Sequence, residues 1–315
     1  MSSSAASPKV TFDPGLTQQY TGPLRRSINR DGTFNVSRRQ LDGYAGSIYL
    51  RLSTMSWTRF LLIVLTAYGV VNFIFAGIYV ALGPGALHPA DKDLQLGQFG
   101  QAFFFSVQTL TTVGYGSIYP YGLASHSVAA IEAGMGVMVF ALATGLLFSR
   151  FSRPTARLMF SDQMVVAPYR DQTALEFRVA NRRSNVLMEV QADLMLITVE
   201  QGPDGKLKRN FTVLPLERNS IYFLALTWTI VHPITDSSPL WGKTPEDLER
   251  LQAEVMILIK GYDDSFGQTV HTRYSYRWDE FQWSSKFLPA FDVSPEGEIV
   301  LDLDKMSATA SAPLD

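Results

Sequence analysis

The chain has no cysteine among its 315 residues, which excludes disulfides, thiolate metal sites and cysteine nucleophiles. Only four histidines occur (His88, His126, His232, His271), and none has the HExxH spacing of a zinc hydrolase. With neither a metal-ligand set nor a nucleophile constellation, no enzyme and no cofactor is expected. No GxGxxG follows a strand-like run, so a Rossmann-type ligand-sensing domain is not expected. No helix carries repeated arginines, which excludes an S4-type voltage sensor. Lys and Arg number 27 against 29 Asp and Glu, a net charge of −2 that argues against a nucleic-acid partner. The first forty residues are polar and rich in Ser, Arg and Gly, so no cleavable signal peptide is expected.

Charge is also missing locally, and there the absence is informative. Phe60 to Leu82 is 23 residues without a charge, roughly 35 Å as a helix, enough to cross a ~30 Å hydrocarbon core. Ser127 to Ser149 is a second such stretch, with Glu132 its one ionisable residue. Phe99 to Leu110, between them, is apolar and aromatic but only 12 residues long, too short to span. A short helix followed by glycine-rich backbone at membrane depth is tolerated only where protein buries it or it lines a water-filled path. The spacing therefore predicts a re-entrant pore helix and loop. Tyr44 to Met55 mixes Tyr44, Ile48, Tyr49 and Leu52 with Ser and Arg51, the pattern of an interfacial slide helix, or else of a polar linker ending at the anchor Trp57.

Orientation follows from the basic residues near the span ends. Arg25, Arg26, Arg30, Arg38, Arg39, Arg51 and Arg59 precede the first span, and Arg150, Arg153 and Arg157 follow the second. The connection between the spans carries only Lys92, flanked by Asp91 and Asp93. Both termini are expected in the cytoplasm, with the protein in the cell's inner (plasma) membrane.

The loop after the short helix reads Thr112-Val113-Gly114-Tyr115-Gly116. TVGYG is the established potassium filter sequence, in which rings of backbone carbonyls replace the hydration shell of K⁺. Here the carbonyls of Thr112, Val113, Gly114 and Tyr115, with the Thr112 hydroxyl, are expected to bind K⁺. Gly114 and Gly116 permit the positive φ that turns carbonyls toward one axis. Tyr115 is expected to pack outward on the pore-helix aromatics. One loop cannot surround an ion, so a homotetramer is implied. In the second span Phe140, Thr144 and Phe148 share a helix face and are expected to line the cavity. Phe148 is the candidate hydrophobic gate, closing by dewetting, unless it packs against the first span. Gly134, Gly136 and Gly145 are hinges or close-packing points. Glu132 is costly in hydrocarbon, and either supports the filter from behind or lines the pore.

Beyond Ser161 the period changes from helix to strand. Val186 to Ile197 alternates, with Val186, Met188, Val190, Ala192, Leu194 and Leu196 apolar. Gly202-Pro203-Asp204-Gly205 supplies a turn before a strand at Phe211–Leu216. Further strands are expected at Ala174–Ala180, Tyr222–Val231, Glu254–Tyr262, Thr269–Tyr276 and Glu298–Leu303. Thr244 caps a short helix that begins at Pro245. Such a series of short strands suggests an antiparallel β-sandwich. The expected layout is an N-terminal cytoplasmic segment (1–40), a slide helix and all-α pore domain (41–153), an all-β immunoglobulin-like sandwich (154–304) and a disordered tail (305–315). Composition also places residues 1–25 among the disordered.

The chain resembles the inward-rectifier potassium channel family, most nearly its prokaryotic KirBac branch. The resemblance is carried by Asp31-Gly32-Thr33-Phe34-Asn35-Val36, Ser56-Trp57-Thr58-Arg59-Phe60, the filter, Phe151-Ser152-Arg153-Pro154 and Leu158-Met159-Phe160-Ser161. Phe177 to Ser184, Thr229 to Ile234, Ser238-Pro239-Leu240 and Arg273-Tyr274-Ser275-Tyr276 continue it. It implies a lipid-modulated channel in which anionic lipids, phosphoinositides included, bind basic residues near the membrane; Arg59, Arg153 and Arg157 occupy such positions. Thr155 and Ala156 stand where eukaryotic members have lysines, which leaves the sign of a phosphoinositide effect open. Mg²⁺ and polyamines are the family's pore blockers and need acidic residues along the path. The cavity position is Phe140, and Glu189 is present in the cytoplasmic pore, but its partner position is Lys260, so weak block and weak rectification are expected. Gln108 and Ile118 stand where the family keeps an acid–base pair behind the filter. A nonselective or sodium-permeable channel, and a membrane-anchored binding protein whose sandwich does the work, are the competing readings.

Overall fold

The computed structural model describes residues 15–16, 19–20, 26–36, 44–89, 96–152, 157–201 and 206–314, without the side chains of 19–20 and 44–47. The chain divides into two compact units, Gln40–Arg153 and, together, Met1–Arg39 with Pro154–Asp315. The described part of the first forty residues thus groups with the β-rich half and forms no segment of its own. Asp91, Lys92, Asp93, Arg153 and the turn at 202–205 lie outside the described residues.

Strand β1 (Gln19–Tyr20) belongs to the β unit. The pore unit follows, starting with the slide helix α1 (Tyr44–Thr54) and the first long helix α2 (Trp57–Ala81). Next come β2 (Leu87–Pro89), the short helix α3 (Gln98–Leu110), β3 (Ile118–Pro120) and the second long helix α4 (Gly122–Phe151). Both α2 and α4 are long and apolar enough to cross a membrane. On α2 the buried residues Asn72, Phe75, Ala76 and Tyr79 recur at helical spacing and make one face. Ala102, Phe105, Ser106 and Leu110 do the same on α3. Strands β2 and β3 pair antiparallel, His88 opposite Tyr119, and set Leu87 and Ile118 into the same apolar cluster as Phe75, Tyr79 and Phe105.

The β unit continues with β4 (Leu158–Phe160), β5 (Met164–Tyr169), β6 (Gln172–Asn181), β7 (Leu187–Gln201), β8 (Leu207–Val213), β9 (Ser220–Leu224) and β10 (Thr227–Ile234). Helix α5 (Pro245–Arg250) precedes β11 (Glu254–Asp263) and β12 (Gln268–Arg277). The short strands β13 (Phe281–Trp283), β14 (Ser285–Phe287), β15 (Phe291–Val293), β16 (Ile299–Leu301) and β17 (Thr309–Ser311) complete it. One sheet runs β1-β8-β7-β11-β12 with β9 on β7; the other runs β10-β6-β5-β13 with β4 on β6. Their inner faces share one core that includes Phe177, Leu194, Ile230, Ile257 and Tyr276.

Four expectations are corrected here. The sandwich is not wholly antiparallel, since β13 runs parallel to β5. The single strand expected at Tyr222–Val231 is two, β9 on one sheet and β10 on the other, and the chain changes layer at residues 225–226. Residues 305–314 are ordered: β17 pairs with β14, and Met306 and Ala312 are buried. Their polar composition hid a short strand that bonds mainly through backbone. Gln19 and Tyr20 likewise pair with β8 in place of disorder.

Residues 26–36 are fastened to the β unit. The Ser27 N–H donates to both oxygens of the Glu254 carboxylate at 2.9 and 3.1 Å, and the Ser27 hydroxyl donates to it at 2.9 Å. Arg26 and Arg30 both reach Glu280 Oε1, at 3.0 and 2.8 Å. Burial pushes the Glu280 carboxyl up, but hydrogen bonds from the Arg277 N–H and from Arg30 and Arg26 outweigh it and hold the group below the ordinary range.

Candidate functional site

The loop after α3 is built on the end of that helix. The N–H groups of Thr112, Val113 and Gly114 turn back to the carbonyls of Thr109 and Gln108, at 3.0, 3.0 and 3.3 Å. The Thr111 hydroxyl donates to the Val107 carbonyl at 2.7 Å. φ is +61° at Thr112, +58° at Gly114 and +73° at Gly116, while Val113 and Tyr115 lie outside the left-handed region. Alternating the hand of successive residues keeps the peptide planes facing the same way and brings carbonyls onto one side. The two glycines adopt this φ without strain; Thr112 does so with a Cβ, a cost that clusters at functional sites. The residue code signalled the glycines and concealed Thr112.

The packing expected for Tyr115 is absent from the single chain. Tyr115 is 77% exposed, and no ring contact among the described residues includes it. The α3 rings pair with α2 instead: Phe103 with Phe73 (centroids 5.1 Å) and Phe105 with Tyr79 (5.1 Å). The loop lies at the edge of the chain, so any ring around Tyr115 must come from a neighbour.

Phe140, Thr144 and Phe148 form an exposed row on α4. Phe148 is 72% exposed and does not pack on the first span; Phe151 does, 4.9 Å from the Trp57 ring. Gly136 is a close-packing point, because a Cβ there would stand 2.1 Å from the Leu110 carbonyl oxygen. Gly134 and Gly145 have open space around them. Glu132 is fully buried, not pore-facing, and bonds to Tyr79 and Ser106.

Arg59 is exposed and, with Arg51, Thr54, Met55, Leu62 and Ile63, lines a shallow cavity of about 450 Å³. Arg157 is exposed in the β unit, and Arg153 lies outside the described residues. Arg150 is engaged internally: its guanidinium donates to the Leu52 and Met55 carbonyls at the end of α1 and lies 4.6 and 4.5 Å from the Trp57 and Phe60 rings. Glu189 sits at φ +49° in a β-bulge of β7, where the pairing with β11 shifts register between Gln191–Lys260 and Met188–Tyr262. Lys260 on β11 pairs with Asp193, 3.4 Å away.

The chain matches the family described as "Inward rectifier potassium channel C-terminal domain" over residues 158–314, and the "Ion channel" family over 68–153. It is 36% identical to the inward rectifier potassium channel Kirbac3.1 of Paramagnetospirillum magnetotacticum, over 90% of this chain and 96% of that one. The chain belongs to the inward rectifier potassium channel family. Among eukaryotic relatives, this inward rectifier is 29% identical to the human G protein-activated inward rectifier potassium channel 3, over 98% of its own length and 84% of the relative's. It is 27% identical to the chicken G protein-activated inward rectifier potassium channel 1, of which the match spans 63%. The inward rectifier is a membrane protein with a two-helix pore and a β-sandwich; it is an ion channel rather than an enzyme, and K⁺ is its cargo.

Sequence reading missed Tyr79 and Ser106 as partners of Glu132, Asn72 as the partner of Ser106, and Arg150 as the tie on α1. Polar residues inside charge-free spans were the available signal for the first group. Nothing in the spacing of Arg150 distinguished it from its basic neighbours.

Proposed function

We propose that four copies of this chain assemble around one axis as a K⁺-selective pore for passive transport, with the filter toward the outside and both termini in the cytoplasm. The carbonyls of Thr112, Val113, Gly114 and Tyr115 bind dehydrated K⁺, with Gly116 closing the turn. The observation that carries this reading is the alternating φ at 112, 114 and 116, with the N–H groups of 112–114 already committed to α3. Phe140, Thr144 and Phe148 line the cavity, and Phe148 forms the hydrophobic constriction; their exposure in the single chain favours this. Anionic lipid phosphates bind Arg59 with Arg51, over the apolar floor of Leu62 and Ile63; Arg153 and Arg157 are separate candidates for binding lipid phosphates. The apolar Phe140, and Lys260 at the position where a partner acid to Glu189 would stand, support weak block by Mg²⁺ and polyamines.

K⁺ flux from liposomes with and without phosphoinositide tests conduction and lipid response together. A reversal potential that follows the K⁺ gradient and ignores Na⁺ is expected; one that follows both makes the pore nonselective. Strong voltage-dependent block by micromolar spermine would refute weak rectification.

A further inference from the structure

Four side chains from the three pore helices meet with nothing at the surface: Asn72, Tyr79, Ser106 and Glu132 are each 0% exposed. The Tyr79 hydroxyl donates to Glu132 Oε2 at 2.8 Å. The Ser106 hydroxyl stands against Glu132 Oε1 and also 3.0 Å from Asn72 Oδ1. Asn72 Nδ2 donates to the Tyr68 carbonyl at 2.8 Å.

Ser106 has one hydroxyl proton and two acceptor neighbours. Turning the Asn72 amide over would set its oxygen against the Tyr68 carbonyl oxygen, so that amide is fixed as it stands. If Ser106 gives its proton to Glu132, Asn72 Oδ1 faces a lone pair. If Ser106 gives it to Asn72, the bond to Glu132 survives only when the carboxyl supplies a proton of its own. The second arrangement leaves no group unmatched: Tyr79 to Glu132, Glu132 to Ser106, Ser106 to Asn72, Asn72 to Tyr68. Among the described residues, no cation pairs with Glu132 to favour a carboxylate.

We propose that Glu132 is a neutral, protonated positioning residue that fixes the pore helix between the two spans and so sets the place of the filter. Glu132 and Gly136 lie on one face of α4, four residues apart, and meet Ser106 and Leu110, also four apart, on α3. The hydrogen-bonded contact and the close backbone contact lock the two helices in register. Leu110 is the last residue of α3, directly before the filter loop.

The inference rests on the potassium-channel reading for its functional arm, and its test has an arm that does not. In lipid-embedded protein, the infrared difference between parent and Glu132→Gln should show loss of a carboxylic-acid C=O stretch. Loss of carboxylate bands instead overturns the neutral acid. An amide can accept from Tyr79 and donate to Ser106, so Glu132→Gln should keep the K⁺-over-Na⁺ permeability ratio within about twofold, while Glu132→Ala lowers it about tenfold. An unchanged ratio in Glu132→Ala overturns the positioning role. If that variant does not assemble, Ser106→Ala decides: a severalfold lower ratio supports the proposal and an unchanged one overturns it. A parent that conducts no K⁺ would refute the channel reading and leave the infrared result to judge Glu132.

Discussion

Burial runs in opposite senses in the two units. In β6, residues 174–180 are all buried, and core residues from both sheets close over one another. In the long pore helices only 17% and 11% of the most apolar windows are buried, and Leu65, Leu142 and Phe148 stand more than 60% exposed. The β unit closes over a core of its own, whereas the pore unit leaves most of its apolar surface uncovered in the single chain. The few positions the pore unit does bury are therefore the ones that hold its own helices together. Among the described residues four of them are polar: Asn72, Ser106, Ser125 and Glu132.

Predictions that probe this contrast run from large to small. Gly136→Ala drives a Cβ into the Leu110 carbonyl, which can yield only by moving the segment that leads to the filter. Overpacking costs about 1–3 kcal/mol or more, and here its expected outcome is loss of K⁺ flux in liposomes with the β unit still folded by circular dichroism. A conducting Gly136→Ala channel would show that α4 and α3 need no close register. Arg150→Ala removes two bonds to carbonyls and the contact with Trp57 and Phe60, a loss of about 2 kcal/mol. A lower melting temperature and altered open probability are expected. Arg150→Lys should recover little, because an ammonium lacks the planar fork that serves both carbonyls.

In the β unit the expected effects are smaller and follow pH. Glu280 is held below its ordinary value of 4.5, so its contribution is full above that pH and is lost as pH falls below it. A melting temperature followed from pH 6 downward should drop in parent, and Glu280→Gln should flatten that drop. Parallel curves would remove Glu280 from the account. Thr244→Ala breaks the capping box with Asp247 and should cost about 1 kcal/mol with no change in conduction.

What the sequence disclosed divides along physical lines. The long helices, the short helix between them and the channel family were legible because absence of charge and a fixed motif encode them directly. The alternation along β7 was legible to Val190, but the bulge at Glu189 against β11 was not: Leu187 faces the core where Met188 was expected to. Strand β5 escaped notice because a continuous apolar run has no period to read. The partners of Glu132 were hidden for another reason, since hydrogen bonds between helices depend on which faces meet and leave no trace in spacing.

The ties at Ser27 and Glu280 have a consequence for the chain as a whole. Residues before 40 and after 153 belong to one unit, so the pore unit is an insertion, a loop whose two ends are gathered by the same folded body. Closing such a loop costs only about (3/2)RT ln n in entropy, a term that grows slowly with loop length. With Ser27 clasped to Glu254, and Arg26 and Arg30 to Glu280, the membrane helices are leashed at both ends. Undoing that clasp would not open the loop but would lengthen its first leash, which would then run back to β1 on β8, while the one that follows α4 keeps its length.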